Sequence, residues 1–210
     1  MSETNGVFPK AQRHLARRDP VLKKLIRLVG PCTLHHNPNR FEVLARSIIS
    51  QQISTKAARS IGARLEQLLA PQGIQPRKIA RTPVDKLREA GLSAAKARYL
   101  LDLAEKVHRG DVPLDTLHEL TDDEVVAQLL PVKGIGRWTA QMFLIFSLGR
   151  YDVLPVDDLG LRAGVQRHYE LAELPGRSQL QEIGELWRPY RTIATWYVWR
   201  SLGSVPQSDA

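Results

Sequence analysis

Residues 129–140 have the sequence Leu129-Leu130-Pro131-Val132-Lys133-Gly134-Ile135-Gly136-Arg137-Trp138-Thr139-Ala140. The Gly134-Ile135-Gly136 turn lies between two helix-like segments and predicts a tight hairpin, because glycine adopts at low cost the backbone torsions that such a turn requires. A second helix is expected to begin at about Gly136. The N–H groups of its first turn lack acceptors within the helix, and together with the helix dipole they favour an anion. The turn is therefore a candidate phosphate site, with an ordinary helix–turn–helix connection as the alternative.

A pair of carboxylates follows this helix, within the sequence Leu154-Pro155-Val156-Asp157-Asp158-Leu159-Gly160. A phosphate-binding turn followed by a carboxylate suggests chemistry on a nucleic acid that is held by its backbone. The chain carries 30 Lys and Arg against 22 Asp and Glu, which gives a formal net charge of +8. This excess suits a folded surface that faces a polyanion, although a basic protein without any nucleic-acid function would also have it.

Cysteine and histidine usage excludes several classes of site. Cys32 is the only cysteine of the 210 residues, which excludes disulfides within the chain, a four-cysteine iron–sulfur cluster and a cysteine-based structural zinc site. The pair His35-His36 has no third candidate ligand at a suitable spacing. Residues 1–19 lack the apolar core of a signal peptide, and no apolar run approaches the length of a membrane span. We therefore expect a cytoplasmic protein without a membrane partner.

Apolar residues recur with helical periodicity along most of the chain, most clearly over residues 41–49 and 97–107. Further helices are expected at residues 20–28, 55–69, 84–90, 125–130, 137–148, 159–168 and 191–202. Alternation typical of a strand is suggested only at residues 151–154. The sequence thus predicts an all-α protein.

Two helix starts have specific signals. Ser93 is well placed as an N-cap after Gly91, ahead of the periodic segment that follows. Thr121, with Glu124 three residues later, has the spacing of a capping box.

Several separate motifs, in this order along the chain, resemble those of the helix-hairpin-helix DNA glycosylases: Ser50–Ser54, Gly91–Ala97, Val132–Ala140, Pro155–Asp158 and Trp187–Arg191. The similarity extends over roughly residues 20–202 and is closest to the DNA-3-methyladenine glycosylase II group of alkylation-repair enzymes. Some members carry an additional N-terminal β-rich domain, which we do not expect here because few residues precede the first shared motif.

The resemblance implies an all-α, two-lobed helical fold with the helix-hairpin-helix motif at about residues 125–148. Residues 1–210 would form a single catalytic unit. One lobe would span residues 40–148, and the other would combine residues 1–39 with 149–210.

The function that the resemblance implies is a monofunctional DNA N-glycosylase of base excision repair. Its substrates would be alkylated bases of the 3-methyladenine and 7-methylguanine type, removed from duplex DNA by base flipping and hydrolysis. The expected partner is double-stranded DNA with a damaged base, and the expected state is a monomer. Two alternatives remain: a glycosylase for oxidised or mismatched bases, and a non-catalytic helix-hairpin-helix DNA-binding module.

The resemblance places Asp158 on the family's catalytic position, with Asp157 as its neighbour and candidate N-cap of the next helix. A cap role is also the alternative for Asp158 itself. A carboxylate suits this chemistry, because breaking a glycosidic bond builds positive charge on the sugar. The related glycosylases that also cut the strand carry a Schiff-base lysine two residues after the second glycine of the hairpin. That position is Trp138 here, and Lys133 lies within the turn and does not match it.

By the same resemblance, the base pocket would be lined by Trp138, Met142 and Trp199, whose indole faces could attract an electron-poor alkylated purine. Some relatives have tyrosine in place of Met142. Gln52 matches the side chain that fills the space left by an extruded base, with an exposed loop amide as the alternative.

Five residues of the hairpin are predicted to contact DNA: Gly134, Ile135, Gly136, Arg137 and Thr139. No cofactor is expected. The hairpin could still hold a monovalent cation, Na⁺ or K⁺, on the backbone carbonyls of Leu130 and Val132.

Overall fold

The computed structural model describes residues 4–203, 205 and 206, with side chains from Gly6 onward. Over this part of the chain the protein is all-helical, with twelve α-helices, a 3₁₀ turn at Leu117–Glu119 and no strand. The predicted all-α class is therefore confirmed. In chain order the helices are α1 Thr4–Arg18, α2 Pro20–Val29, α3 Arg40–Ser50, α4 Thr55–Leu68, α5 Pro76–Arg81, α6 Val84–Glu89, α7 Ala94–Arg109, α8 Asp122–Leu129, α9 Arg137–Phe146, α10 Leu159–His168, α11 Arg177–Glu185 and α12 Arg191–Ser201.

The described chain divides into two compact units. The central unit comprises Asn37–Leu148 and carries α3 to α9. The terminal unit combines the described residues up to His36 with those from Gly149 onward, and carries α1, α2 and α10 to α12. No described helix has the combination of length and apolar character that crossing a membrane would require.

The core of the central unit is the pair α3 and α9, each buried on nearly every face. These two helices pack against each other, and α7 packs against α3, α5 and α6. Only the first residues of α9 reach the surface, so its N-terminus is presented on a rigid support. In the terminal unit α12 has the same central role, since all residues from Thr192 to Trp199 are buried and the helix packs against α2, α10 and α1.

Local capping signals agree with the structure. The hydroxyl of Ser93 accepts a hydrogen bond from the N–H of Lys96 at 3.2 Å and begins α7. Thr121 and Glu124 form the reciprocal bonds of a capping box at the start of α8. Both predictions are confirmed, and both depend only on residues within one turn of each other.

Three described helices, α1, α5 and α11, have no counterpart among those expected from periodicity. Helix α1 contains Pro9, a residue that is unfavourable inside a helix. The six residues of α5 are too few to show a repeat, although Pro76 at its first position is typical of a helix start. Helix α11 contains Gly184, which disfavours a helix in isolation. A Cβ atom at Gly184 would meet the side chain of Leu154 at 2.5 Å, so close packing accounts for the glycine.

The strand suggested at residues 151–154 is absent. The carbonyl of Tyr151 accepts a hydrogen bond from the N–H of Thr192 at 3.0 Å, and the N–H of Val153 donates to the hydroxyl of Thr192 at 3.0 Å. The segment begins with a turn at residues 151–152 and is bonded to the start of α12 instead of to a neighbouring strand.

Candidate functional site

The turn between α8 and α9 holds Gly134 in a left-handed conformation, with φ +78°. The N–H of Ile135 donates to the carbonyl of Val132 at 3.0 Å and closes the turn. A Cβ atom at Gly134 would also overlap the aromatic ring of Tyr99. Glycine is thus required here by the backbone torsion and by the close approach of a ring, as the predicted hairpin demands.

Gly136 departs from the expectation. Its backbone, with φ −100° and ψ −179°, is extended and open to any residue, and an added Cβ would meet nothing within 4 Å. The prediction that turn torsions require glycine is therefore wrong at this position. Gly136 is the exposed N-cap of α9, and its lack of a side chain leaves the first turn of that helix open to an anion.

Some side chains of the hairpin are buried and others are exposed. Arg137 is exposed and Trp138 is partly exposed, whereas Ile135 and Thr139 are buried. The hydroxyl of Thr139 accepts a hydrogen bond from Nε2 of Gln51 at 3.0 Å. The side chains of Ile135 and Thr139 therefore face the interior, and only the backbone of these two residues could reach a ligand. DNA contacts by all five hairpin residues stay predictions.

Asp102, on α7, ties the turn to the rest of the central unit. Its Oδ2 accepts a hydrogen bond from the N–H of Lys133 at 2.9 Å and lies 3.0 Å from Nζ of Lys106. Burial acts to raise the pKa of this carboxyl, but the Lys133 N–H and the Lys106 ammonium group outweigh burial and lower the pKa below its ordinary value. The anchor is therefore an ionised carboxylate at neutral pH.

The carbonyl of Val132, one of the two predicted cation ligands, already accepts the N–H of Ile135, so a cation would have to use its second lone pair. Between residue 4 and residue 206, in the part that the structure describes, no group of three or more His, Cys, Asp or Glu side chains could hold a metal ion. The monovalent cation on Leu130 and Val132 stays a prediction.

Gln52, the predicted plug, lies in the loop after α3. It is exposed and has φ +56°, a conformation that is uncommon for any residue other than glycine. Such a conformation persists only where neighbouring structure holds it, and it is often found at functional sites. The conformation is compatible with an inserted side chain and with an ordinary loop amide, and insertion stays a prediction.

Asp158 begins α10 in the terminal unit and is only 7% exposed. Its Oδ1 accepts a hydrogen bond from the N–H of Leu161 at 2.6 Å and a second from Nε1 of Trp199 at 2.9 Å. Asp158 is therefore the N-cap of α10, the role that the sequence left open for it. The indole also fixes the carboxylate's orientation, which a cap alone does not require.

Asp157 is not a cap. Its carboxylate forms an ion pair with Nε of Arg177, whose side chain is largely exposed. The prediction that Asp157 caps the helix is wrong, because its neighbour Asp158 takes that position in the chain.

The three predicted pocket residues differ in exposure. Trp138 is partly exposed, whereas Met142 and Trp199 are fully buried. The hydrogen bond from Trp199 to Asp158 gives this indole a definite role beyond the predicted one. All three stay predictions as walls of a base pocket. Gly160 lies close to this contact in the structure: a Cβ there would lie 3.2 Å from Oδ1 of Asp158 and 3.6 Å from the indole of Trp199. A glycine two residues after Asp158 was the one feature of the sequence that could have indicated close packing at this point.

Residues 45–189 match the model of the HhH-GPD superfamily of base excision DNA repair proteins. The chain belongs to this superfamily. It is 36% identical to DNA-3-methyladenine glycosylase 1 of Schizosaccharomyces pombe, over 91% of this chain and 86% of that protein.

Two solved structures of HhH-GPD relatives are similar over most of the chain. One is the S. pombe 3-methyladenine DNA glycosylase Mag1 in complex with abasic DNA, with a TM-score of 0.85 and 34% identity over 95% of this chain and all of that one. The other is the DNA-3-methyladenine glycosidase of Bacillus halodurans, with a TM-score of 0.77 and 37% identity over 92% and 89% of the two chains. Membership accounts for the combination of a glycine hairpin with a downstream carboxylate.

Proposed function

We propose that this protein is a monofunctional DNA N-glycosylase that removes alkylated bases of the 3-methyladenine and 7-methylguanine type from duplex DNA. Its partner is double-stranded DNA with a damaged base, and it works as a cytoplasmic monomer without a cofactor. The relatives named above are 3-methyladenine glycosylases, and their similarity extends over nearly the whole chain. This supports an alkylated base over an oxidised or mismatched one.

The buried and oriented carboxylate of Asp158 is the main observation that supports the proposed chemistry. When the bond between base and deoxyribose breaks, positive charge develops on the sugar, and a fixed carboxylate stabilises that charge without having to reorganise. The same group can orient or deprotonate the water that attacks the sugar carbon. The N–H of Leu161 and the indole of Trp199 both hold Oδ1, so the carboxylate has a defined direction before DNA arrives.

Water is the proposed nucleophile because the hairpin offers no amine where the strand-cutting relatives carry their lysine. Trp138 occupies that position on α9. Nζ of Lys133 lies 3.8 Å from Oδ1 of Asp102, so this amine is paired with a carboxylate within the turn and does not occupy the position of that lysine. The product would be free base and an intact strand with an abasic site.

A panel of single-lesion duplexes tests the proposal. We expect release of 3-methyladenine and 7-methylguanine under single-turnover conditions, and no release of 8-oxoguanine. Excision of 8-oxoguanine or a mismatched base alone would favour the other glycosylase activity. Tight DNA binding with no excision of any base would favour the non-catalytic module.

A further inference from the structure

The side chain of Gln51 joins the loop that carries Gln52 to the glycine hairpin. Nε2 of Gln51 donates to the carbonyl of Gly134 at 2.7 Å and to the hydroxyl of Thr139 at 3.0 Å. The side-chain amide of Gln51, which precedes Gln52, therefore bonds both to the glycine turn and to the first turn of α9. Gln51 is separated from Gly134 by 83 residues of sequence, so only the folded chain creates this link.

Lys96 holds the other side of the same loop. Its Nζ donates to the carbonyls of Ile49 and Gln51, both at 2.7 Å. These carbonyls lie at the C-terminal end of α3, where a cation satisfies acceptors that have no helical partner. The side chain of Lys96 is half-buried, and this burial lowers the pKa of its amine.

One stripe of α7 supports both segments. Lys96, Tyr99 and Asp102 follow one another at a spacing of three residues, which places them along one side of the helix. Lys96 holds the end of α3, the ring of Tyr99 lies against Gly134, and Asp102 accepts the N–H of Lys133. The loop and the hairpin therefore share one rigid support.

We propose that Gln51 and Lys96 are positioning residues for base extrusion: they hold Gln52 in its left-handed conformation and at a fixed place relative to the phosphate-binding turn. The inference rests on the proposed function, since it concerns how a damaged base leaves the duplex. A plug is useful only if it enters the stack at a defined distance from the phosphates that the turn holds. The Gln51 amide and the Lys96 ammonium group set that distance before DNA binds, so neither needs to contact DNA.

Substitutions that remove the donors and keep the length test this role. Lys96→Met and Gln51→Met abolish the hydrogen bonds and preserve an unbranched apolar stem. The matched controls are Lys86→Met, which removes an exposed lysine of α6, and Gln67→Met, which removes an exposed amide of α4. Lys96→Arg keeps a cationic donor at the end of α3 and should retain most of the wild-type behaviour.

Excision of 7-methylguanine is compared on two substrates: a fully paired duplex, and the same sequence with the lesion in a single-nucleotide bulge, from which extrusion costs little. Because small misplacements of a positioning group are costly, we expect Lys96→Met and Gln51→Met to lower single-turnover excision from the duplex by about 10- to 100-fold. Excision from the bulge should stay close to the wild-type rate, as should both substrates with the control variants.

Fluorescence of 2-aminopurine next to an abasic-site analogue reports insertion of the plug without any excision. We expect the wild type to raise this fluorescence and the two variants to raise it much less. Equal losses on the duplex and the bulge, or wild-type fluorescence in both variants, would overturn the positioning role. If Lys96→Met alone lowers the thermal unfolding temperature below that of the assay, Gln51→Met still tests the role by both measurements. Failure of the wild type to excise 7-methylguanine would instead count against the proposed function. The fluorescence comparison would still test the positioning role of Gln51 and Lys96.

Discussion

The carboxylate of Asp158 is the N-cap of α10 and also has the proposed catalytic role. Substitution by asparagine separates these two roles. Asparagine is as good an N-cap as aspartate, so Asp158→Asn should fold with little loss of stability. It lacks the negative charge that offsets the developing charge on the sugar. Losing one such group costs about 3–4 kcal/mol of transition-state stabilisation, or roughly two to three decades in rate. Single-turnover excision of 3-methyladenine from a duplex measures the loss.

Asp157→Asn is the matched control for that variant. Asp157 pairs with Arg177 at the surface, and exposed ion pairs contribute about 0–1 kcal/mol to stability. Excision by this variant should remain near the wild-type rate. Should Asp157→Asn be inactive and Asp158→Asn active, the catalytic role belongs to the other carboxylate; normal excision by both would exclude a carboxylate mechanism.

Trp199→Phe removes the indole donor to Asp158 and keeps an aromatic ring in the same place. A hydrogen bond to a charged group contributes about 1.5–3 kcal/mol, so we expect excision to slow by roughly one to two decades. Trp196→Phe is the control, because it makes the same change of size on the same helix, at a buried position. Unfolding by denaturant separates the cost of the smaller ring from the effect on rate. Equal rates for both variants would show that the indole does not orient the carboxylate.

The hairpin gives the clearest prediction for a single element. Gly134→Ala places a side chain at positive φ and against the ring of Tyr99, so it should destabilise the protein by about 1–3 kcal/mol and weaken binding to duplex DNA. Gly136→Ala meets neither obstacle and should cost less stability than Gly134→Ala, with a loss limited to that of a poorer N-cap. Any loss of DNA affinity in Gly136→Ala would then report on the space in front of α9. Fluorescence anisotropy with labelled duplex, alongside denaturant unfolding, distinguishes the two effects; wild-type affinity in both variants would exclude phosphate binding at this turn.

The same elements show what sequence can and cannot predict. Ser93 and Thr121 act through neighbours within a few residues, and the positive φ of Gly134 belongs to a local turn, so these roles follow from local spacing. The close approach of Tyr99 to Gly134 does not. Helix α5 was missed because six residues cannot show a helical repeat. The site contacts that the sequence did not predict join residues far apart in the chain. Gln51 meets Thr139 across 88 residues, and Trp199 meets Asp158 across 41. No periodicity or motif states which distant side chain a given amide or indole will meet.

At the scale of the whole molecule, the net charge of +8 predicts that DNA affinity is mainly electrostatic and insensitive to sequence. Each phosphate neutralised releases counterions, so even two phosphate contacts should lower affinity about tenfold between 50 and 200 mM salt. Titrations of several unrelated duplexes over this range check both points. A flat response to salt, or strong preference for one undamaged sequence, would contradict a backbone-held complex.

The chemical outcome of the reaction tests every lysine of the chain at once. A strand-cutting glycosylase forms a Schiff base between a neutral amine and the sugar, which borohydride reduces to a stable protein–DNA adduct. Trp138 fills the position of that amine, so we expect borohydride trapping to give no adduct and the product strand to remain intact until alkali cleaves it at the abasic site. Lys96 is the lysine whose pKa burial lowers, and a lowered pKa favours the neutral, nucleophilic form. Its amine, however, is engaged with the carbonyls of Ile49 and Gln51. A robust adduct would therefore overturn the monofunctional assignment. If the Lys96→Met variant formed no adduct, the Lys96 amine would be the nucleophile and not a positioning group.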